Sequence, residues 1–175
     1  MPYFLLFMKD KTKEIIIYGF IILVIILIRT FIITPIRVNG TSMDTTLQDK
    51  EIMILNKINY KLNDIERFDI VVIKKDDSYL IKRIIGLPGE TLKYVDDKLY
   101  INDKEIKEYF KNQSTQDFDI IELGYDKIPN DCYFAIGDNR KDSLDSRIFG
   151  CFKKEDILGS ANLVLLPLNN FGYKK

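Results

Sequence analysis

The stretch Ile70-Val71-Val72-Ile73-Lys74-Lys75-Asp76-Asp77-Ser78-Tyr79-Leu80-Ile81 decides the fold class of this 175-residue chain. It holds two short runs of apolar and β-branched residues, 70–73 and 79–81, separated by a polar break. Such runs are typical of β-strands. Four further runs have the same character: 52–55, 91–95, 98–101 and 133–136. Because no amphipathic helix of convincing length lies among them, the sequence predicts an all-β domain.

Turn signals separate these runs. Asp96-Asp97 suggests a tight hairpin, and Asn102-Asp103-Lys104 suggests the next turn. Gly86-Leu87-Pro88-Gly89 combines a rigid φ with two permissive glycines, which suits a sharp reversal. Segment 104–127 is more polar and carries no motif, so we expect a loop-rich excursion. Segment 163–168 is expected to be a buried strand that Pro167 interrupts.

The N-terminal region is strongly apolar. Residues 15–28 are apolar apart from Tyr18 and Gly19, and the run continues through 31–33 beyond Arg29. The apolar stretch has roughly the 20 residues needed to cross the hydrocarbon core of a bilayer. Arg29 is close enough to one end of it to reach the lipid headgroups. The chain has no alanine before Ala135 and hence no small-residue exit site of the Ala-x-Ala type. We therefore expect an uncleaved membrane helix that ends at Pro35.

The distribution of lysines suggests how the helix is oriented. Lys9, Lys11 and Lys13 precede it and Arg37 follows it, so the positive-inside bias favours a cytosolic N-terminus. The predicted organisation is a cytosolic segment at 1–13, a transmembrane anchor at 14–34 and an extracytoplasmic β-rich domain at 35–175. The location expected is the cell membrane, crossed once.

Charge and cysteine content narrow the function. The chain has 26 basic and 26 acidic residues, a balance that argues against a nucleic-acid partner. Its two cysteines, Cys132 and Cys151, have no metal-ligand spacing, so we expect neither a metal nor a cofactor. Export would permit a disulfide between them. Two thiols in a chain of this size are more often small core residues, and we expect them to be unpaired.

The absence of histidine restricts the possible chemistry. A serine nucleophile needs a base, and without imidazole the candidates are a lysine amine or a carboxylate. A Ser-His-Asp triad is excluded. Lysine serves as a base only when neutral, and burial against apolar surface favours the neutral form. The apolar neighbours of Lys82 could provide that surface: Leu80, Ile81, Ile84 and Ile85.

Four sequence blocks carry the candidate chemistry. They are Gly40-Thr41-Ser42-Met43-Asp44-Thr45-Thr46-Leu47, Arg67-Phe68-Asp69-Ile70-Val71-Val72, Lys82-Arg83-Ile84-Ile85-Gly86-Leu87-Pro88-Gly89-Glu90 and Gly137-Asp138-Asn139-Arg140-Lys141-Asp142-Ser143-Leu144-Asp145-Ser146-Arg147. Each alone has an ordinary explanation, since serines populate turns and lysines decorate strand edges. In this order behind an anchor, the blocks resemble the type I signal peptidases of bacteria over most of the chain.

The resemblance implies roles for individual residues. Ser42 matches the nucleophile, Lys82 the general base, and Ser143 the serine that hydrogen-bonds the lysine amine and orients it. Four charged residues match those that hold the site together by ion pairs: Arg83, Asp138, Asp145 and Arg147.

Two positions near the nucleophile differ from the family pattern. Some relatives provide an oxyanion-stabilising hydroxyl two residues before the nucleophile, where this chain has Gly40, so a main-chain group is expected to act beside the N–H of Ser42. The family usually has proline where this chain has Thr45. Proline fixes φ and stiffens the turn, and this chain lacks that constraint.

The resemblance implies a mainly β fold, in which a single N-terminal transmembrane helix is followed by an antiparallel β-rich catalytic domain of the signal-peptidase and LexA-like type. The function implied is a membrane-anchored serine endopeptidase that removes signal peptides from exported preproteins, with small residues before the cleavage site. Its partners would be these preproteins and membrane lipid, without nucleic acid. The oligomeric state stays open.

Three alternatives remain. A non-catalytic relative could serve as an assembly or chaperone partner for surface proteins, but such proteins typically lose the nucleophile or the base, and this chain keeps both. An autoproteolytic Ser-Lys repressor would be soluble and would contain an Ala-Gly or Cys-Gly bond, which is absent here. A single-pass binding module would leave the four blocks unexplained.

Overall fold

A computed structural model of the chain describes residues 2–110 and 112–174. Its α-helices are α1 Pro2–Phe31, α2 Asn59–Leu62 and α3 Ser146–Phe149. Its strands are β1 Ile33–Arg37, β2 Ile52–Asn56, β3 Ile70–Lys75, β4 Ser78–Gly86, β5 Leu92–Val95, β6 Lys98–Ile101, β7 Lys104–Ile106, β8 Phe118–Asp119, β9 Cys132–Ile136, β10 Phe152–Lys153, β11 Ile157–Leu166 and β12 Gly172–Tyr173. Short 3-10 helices cover Ile120–Leu123, Lys154–Asp156 and Leu168–Asn170.

Two antiparallel sheets form the domain that follows α1. The larger has the strand order β1-β2-β11-β3-β4-β9-β10, with β12 beside β11, and the smaller has the order β7-β6-β5-β8. All pairings between these strands are antiparallel. The prediction of a mainly antiparallel β domain behind an apolar N-terminal helix is therefore confirmed.

Strand β3 lies inside the larger sheet and is buried on both faces. Ile70 and Val72 pack into one apolar cluster, whereas Val71 and Ile73 pack into another on the opposite face. Side chains alternate between faces along a strand, so burial on both sides requires an unbroken apolar run. Its neighbour β4 continues to Gly86, which places Lys82 and Arg83 within a strand.

Helix α1 ends earlier than expected. It stops at Phe31, and Pro35 lies in strand β1 at the sheet edge, where proline is tolerated. Capping by the domain explains the difference: Lys57 Nζ donates to the carbonyl of Thr30 at 3.0 Å, and Thr34 Oγ1 donates to the carbonyl of Arg29 at 2.8 Å. These contacts satisfy carbonyl groups that the last helical turn leaves without partners.

The part of α1 whose side chains the structure describes, residues 11–31, is mostly apolar and is not covered by the domain. This segment, Lys11–Phe31, is 21 residues long, which is enough to cross a membrane, and none of its residues is buried against the domain. An apolar helix this long would be unfavourable in water unless something covered it.

The turn predictions agree with the structure, and segment 104–127 is mostly loop as expected, with three short regular elements inside it. Asp96 and Asp97 have φ of 50° and 64°, which suits a type I′ hairpin. Segment 104–127 contains β7, β8 and a 3-10 helix whose N-cap Asp119 accepts from the N–H of Ile121 while Glu122 accepts from the N–H of Asp119. This reciprocal pair is a capping box, a signal present in the sequence. Lys111 lies outside the described residues.

The two cysteines are joined in a disulfide, so the expectation of unpaired thiols was wrong. Cys132 begins β9 and Cys151 immediately precedes β10, and their Cα atoms are 5.6 Å apart. Pairing of β9 with β10 brings the two residues together. The bond closes the chain segment that carries the whole fourth sequence block.

Gly159 gives a test of this packing. It has a φ of +157°, and a Cβ there would collide with the backbone carbonyl of Asn56, which cannot rotate away. Gly172 has a φ of +145° with open space around it. We expect Gly159→Ala to lower the free energy of unfolding by about 2 kcal/mol more than Gly172→Ala, measured by chemical denaturation in detergent. Equal losses would show that the close approach to Asn56 is not what constrains β11.

Candidate active site

Ser42 lies in the turn between β1 and β2. Two buried neighbours in the turn, Met43 and Leu47, belong to the core cluster beneath it. Hydrogen bonds inside the turn add to this anchoring, since the N–H of Asp44 donates to the carbonyl of Thr41 and the N–H of Leu47 donates to that of Met43. The turn is therefore held by packing on one side and by its own backbone.

Lys82 reaches this turn from strand β4. Lys82 is only 2 % exposed, and its Nζ donates a hydrogen bond to Ser42 Oγ at 2.6 Å. Leu80 and Ile84, two positions before and after, lie on the same face of the strand. The structure thus brings together the two residues that the resemblance pairs.

The environment of Lys82 favours the neutral amine. Burial lowers the pKa of Lys82 to about 8. Asp145 and Asp138 oppose this shift by favouring the charged form, and Arg147 reinforces it. Near pH 8 about half of the molecules carry an amine that can accept a proton.

Arg83, the next residue along β4, forms a fully enclosed ion pair with Asp138. Its Nε and one terminal nitrogen donate to the two oxygens of Asp138 at 2.8 and 2.7 Å, and neither side chain is exposed. The other terminal nitrogen donates to the carbonyl of Phe68. Asp138 also accepts from the hydroxyl of Thr46, which lies in the Ser42 turn. The pair therefore connects β4 to that turn.

Asp145 and Arg147 form a second bidentate pair. Arg147 Nε and a terminal nitrogen donate to the two carboxylate oxygens at 2.9 and 2.8 Å. Asp145 is fully buried, caps the first turn of α3 and accepts from the N–H of Gly137. All four charged residues expected to support the site are thus in bidentate pairs.

Ser143 is placed nearby but not as expected. Its Oγ is buried and has no hydrogen-bond partner in the described part of the chain, so the bond to Lys82 is not formed. A Cβ on Gly137 would collide with this Oγ and with the carbonyl of Ser42, which means that all three groups pack closely.

Asn139, which carried no assigned role, is hydrogen-bonded to the Ser42 turn. Its N–H donates to the carbonyl of Ser42 at 3.1 Å, and its side-chain amide donates to the carbonyl of Thr41 at 3.0 Å. The sequence Gly137-Asp138-Asn139 predicts a loop. The contact between Asn139 and Thr41, 98 residues apart in the chain, follows only from the fold.

Gly40 supports the turn through its conformation. Its φ is +92°, and its N–H donates to Asp49 Oδ1 at 2.9 Å, so this N–H is engaged and is not available to an oxyanion. The N–H of Ser42 has no acceptor among the groups that the structure describes.

A cavity of about 510 Å³ opens beside Ser42 and Lys82. Ser42 and Lys82 lie in its wall, and its apolar lining includes Ile36, Val38, Leu55, Val72, Ile81 and Leu158. Two strands along the cavity have unpaired backbone: β1 is at the sheet edge, and β4 pairs with β9 only from Arg83 onward. The cavity can therefore accept an extended peptide with backbone hydrogen bonds. Within the described ranges, no three metal-binding side chains cluster.

Thr45 has a backbone conformation that proline cannot adopt. Its φ is +100°, and its N–H donates to Asp44 Oδ1 at 3.1 Å. Proline would fix φ near −65° and has no N–H to donate. Threonine at position 45 therefore fits a turn with positive φ, which proline could not form. Its presence is not simply the loss of a residue that would stiffen the turn.

Comparison with known proteins gives consistent results. Residues 12–166 match the family model described as signal peptidase, peptidase S26. The chain is 39% identical over 167 residues to signal peptidase I of Bacillus amyloliquefaciens, covering 91% of this chain and 89% of the relative. It is 41% identical over 152 residues to signal peptidase I S of Bacillus subtilis strain 168, covering 82% and 83%.

A solved structure is also similar. The crystal structure of a signal peptidase I from Enterococcus faecalis V583 matches with a TM-score of 0.52 and 37% sequence identity. The match covers 56% of this chain and 97% of that one.

The conformation at Thr45 leads to a test. We expect Thr45→Pro to lower the free energy of unfolding by about 2 kcal/mol or more, because proline cannot reach a φ of +100° or donate to Asp44. Thr45→Gly is the matched control and should stay within about 1 kcal/mol of the parent, since glycine adopts positive φ readily. Denaturant unfolding measures both. A Thr45→Pro protein as stable as the parent would contradict the turn geometry.

Proposed function

Because the chain belongs to the signal peptidase family, peptidase S26, and is thus a serine endopeptidase that cleaves signal peptides, we propose that Ser42 is its nucleophile and Lys82 its general base. The observation that carries this assignment is the 2.6 Å contact between Lys82 Nζ and Ser42 Oγ in the cavity wall. The lowered pKa of Lys82 supports it, because a base must be neutral when it acts.

The reaction follows from this geometry. Neutral Lys82 takes the hydroxyl proton of Ser42 as Oγ attacks the scissile carbonyl, and the N–H of Ser42 stabilises the resulting oxyanion. The Lys82 ammonium then gives its proton to the departing amine, which leaves an ester on Ser42. Lys82 next takes a proton from water as the water attacks this ester. It returns the proton to Ser42 Oγ when the product acid leaves.

Ser143 and the two ion pairs are proposed to hold the reacting groups in place. Ser143 Oγ is a buried hydroxyl with no partner among the described groups, so an ammonium on Lys82 would gain an acceptor there once the proton is transferred. Arg83–Asp138 and Asp145–Arg147 would limit movement of β4 and of the 137–147 loop against the nucleophile turn. Gly40 would contribute by setting the direction of the chain before Ser42.

The substrates proposed are exported preproteins that present small residues before the cleavage site. An extended segment could pair with the free edges of β1 and β4, which brings one of its carbonyl groups to Ser42. The apolar lining would suit short aliphatic side chains.

The membrane arrangement is proposed from the helix. We infer that α1 anchors the enzyme in the cell membrane with a cytosolic N-terminus and an extracytoplasmic domain. The cavity lining includes Thr34, three residues after the helix ends, so the site would lie near the bilayer in contact with lipid. A signal peptide held in the same membrane would meet the site at a raised effective concentration.

Cleavage of a preprotein in detergent tests the dyad. We expect Ser42→Ala and Lys82→Ala to lower kcat by about a thousandfold or more, because each removes a reacting group. Lys82→Arg should be equally inactive, since a guanidinium keeps its proton. Lys74→Ala, which removes an exposed lysine of the neighbouring strand, is the control and should retain the parent's rate. The assignment fails if Ser42→Ala or Lys82→Ala cleaves at a comparable rate to the parent.

The pH dependence of kcat/KM tests the base separately. The pKa of Lys82 lies at about 8, and only the deprotonated amine accepts a proton. The rate should therefore fall about tenfold for each pH unit below this value and level off above it. Initial rates between pH 6 and pH 10 provide the profile. A rate that does not change across this range would exclude a titrating lysine.

A further inference from the structure

A motif-free part of the chain covers the buried ion pair. Residues 108–110 and 112–115, here called the cover segment, lie between β7 and β8 in sequence and pack against Arg83, Asp138 and Arg140. None of these contacts is with a reacting group. They concern the residues that hold β4 and the 137–147 loop together.

Phe110 covers one face of Arg83. The guanidinium carbon of Arg83 lies 3.9 Å from the centre of the Phe110 ring. Its Nε and both terminal nitrogens already donate to Asp138 and to the carbonyl of Phe68, so the guanidinium meets its surroundings mainly through its flat faces. Phe110 also packs edge-on against the Phe68 ring, which holds it in this position.

The cover segment is itself anchored by a second enclosed ion pair. Arg140 donates to Glu108 at 2.6 Å, with side chains 1% and 9% exposed. Arg140 also donates to the hydroxyl of Thr115 at the other end of the segment. The N–H of Gln113 donates to the backbone carbonyl of Asp138 at 3.1 Å. Both ends and the middle of the segment are therefore attached to the loop that carries Asp138.

Water is what this cover excludes. An ion pair weakens as the local dielectric rises, and water reaching Arg83 and Asp138 would compete for their hydrogen bonds. Arg83 directly follows Lys82, and Asp138 directly precedes Asn139, which binds the Ser42 turn. A loosened pair would let the two halves of the dyad move apart.

We propose that Phe110 is a positioning residue for the cleavage reaction, and that by keeping water away from the Arg83–Asp138 pair it holds Lys82 and Ser42 at reactive distance. This inference rests on the proposed function of the dyad. Phe110 does not line the cavity, so its effect is on turnover and not on substrate binding.

The test compares preprotein cleavage by full-length parent, Phe110→Ala, Phe110→Leu and Phe152→Ala proteins in detergent. We expect Phe110→Ala to lower kcat by about 10- to 100-fold with KM within about twofold, because misplacement of reacting groups costs turnover. Phe110→Leu keeps an apolar cover and should recover most of the lost kcat. Phe152 is a buried phenylalanine of a different cluster, so Phe152→Ala should lose stability without this kcat effect.

Several outcomes would overturn the proposal. The first is a kcat for Phe110→Ala that equals the parent's, and the second is a kcat for Phe110→Leu no higher than that of Phe110→Ala. The third is an equal loss of kcat in Phe152→Ala and Phe110→Ala when the two variants have similar thermal unfolding midpoints. If Phe110→Ala does not fold, Phe110→Leu must match the parent in kcat within about threefold. If the parent protein cleaves no preprotein, both the proposed function and this inference are contradicted. If the parent is active and Phe110→Ala has the same kcat, only the inference is contradicted.

Discussion

The buried pair of Arg83 and Asp138 is the interaction on which the site geometry depends. Removing two charges from water costs several kcal/mol for each ion, so such a pair persists only when its hydrogen bonds are complete. Here the guanidinium donates to both carboxylate oxygens and to the Phe68 carbonyl, while Thr46 donates to the carboxylate. The pair joins four separate parts of the chain, and breaking any one contact leaves a buried charge short of a partner.

The adjacent residue on β4 follows the opposite principle. Lys82 is buried, and no carboxylate among the described residues is bonded to its amine, so burial lowers its pKa. Two consecutive residues of β4 thus differ: Arg83 is paired with a carboxylate, and Lys82 is not. The first gives the strand a defined position, and the second is the proposed general base. A rigid sheet is needed for both, because a mobile lysine would simply turn towards water.

Much of this arrangement could be predicted from the sequence, because strands and turns leave local patterns. The apolar run at 70–73 and the Asp96-Asp97 turn were sufficient for the fold class, and the four blocks were sufficient to pair Ser42 with Lys82. Contacts between distant segments left no such pattern. Phe110 and Glu108 are ordinary residues of a polar segment, and their importance follows only from where β7 and β8 place them. The disulfide depended on the pairing of β9 with β10, and the positive φ of Thr45 could not be read from its side chain.

The attachment of α1 to the domain also matters. Lys57 donates to the carbonyl of Thr30, where the helix is about to end, and the same lysine lines the cavity. Thr34 adds a second bond across the junction. With α1 embedded in a bilayer as proposed, these two hydrogen bonds would fix the distance between the active site and the membrane surface. The enzyme would then select preproteins by how far their cleavage site lies from the lipid.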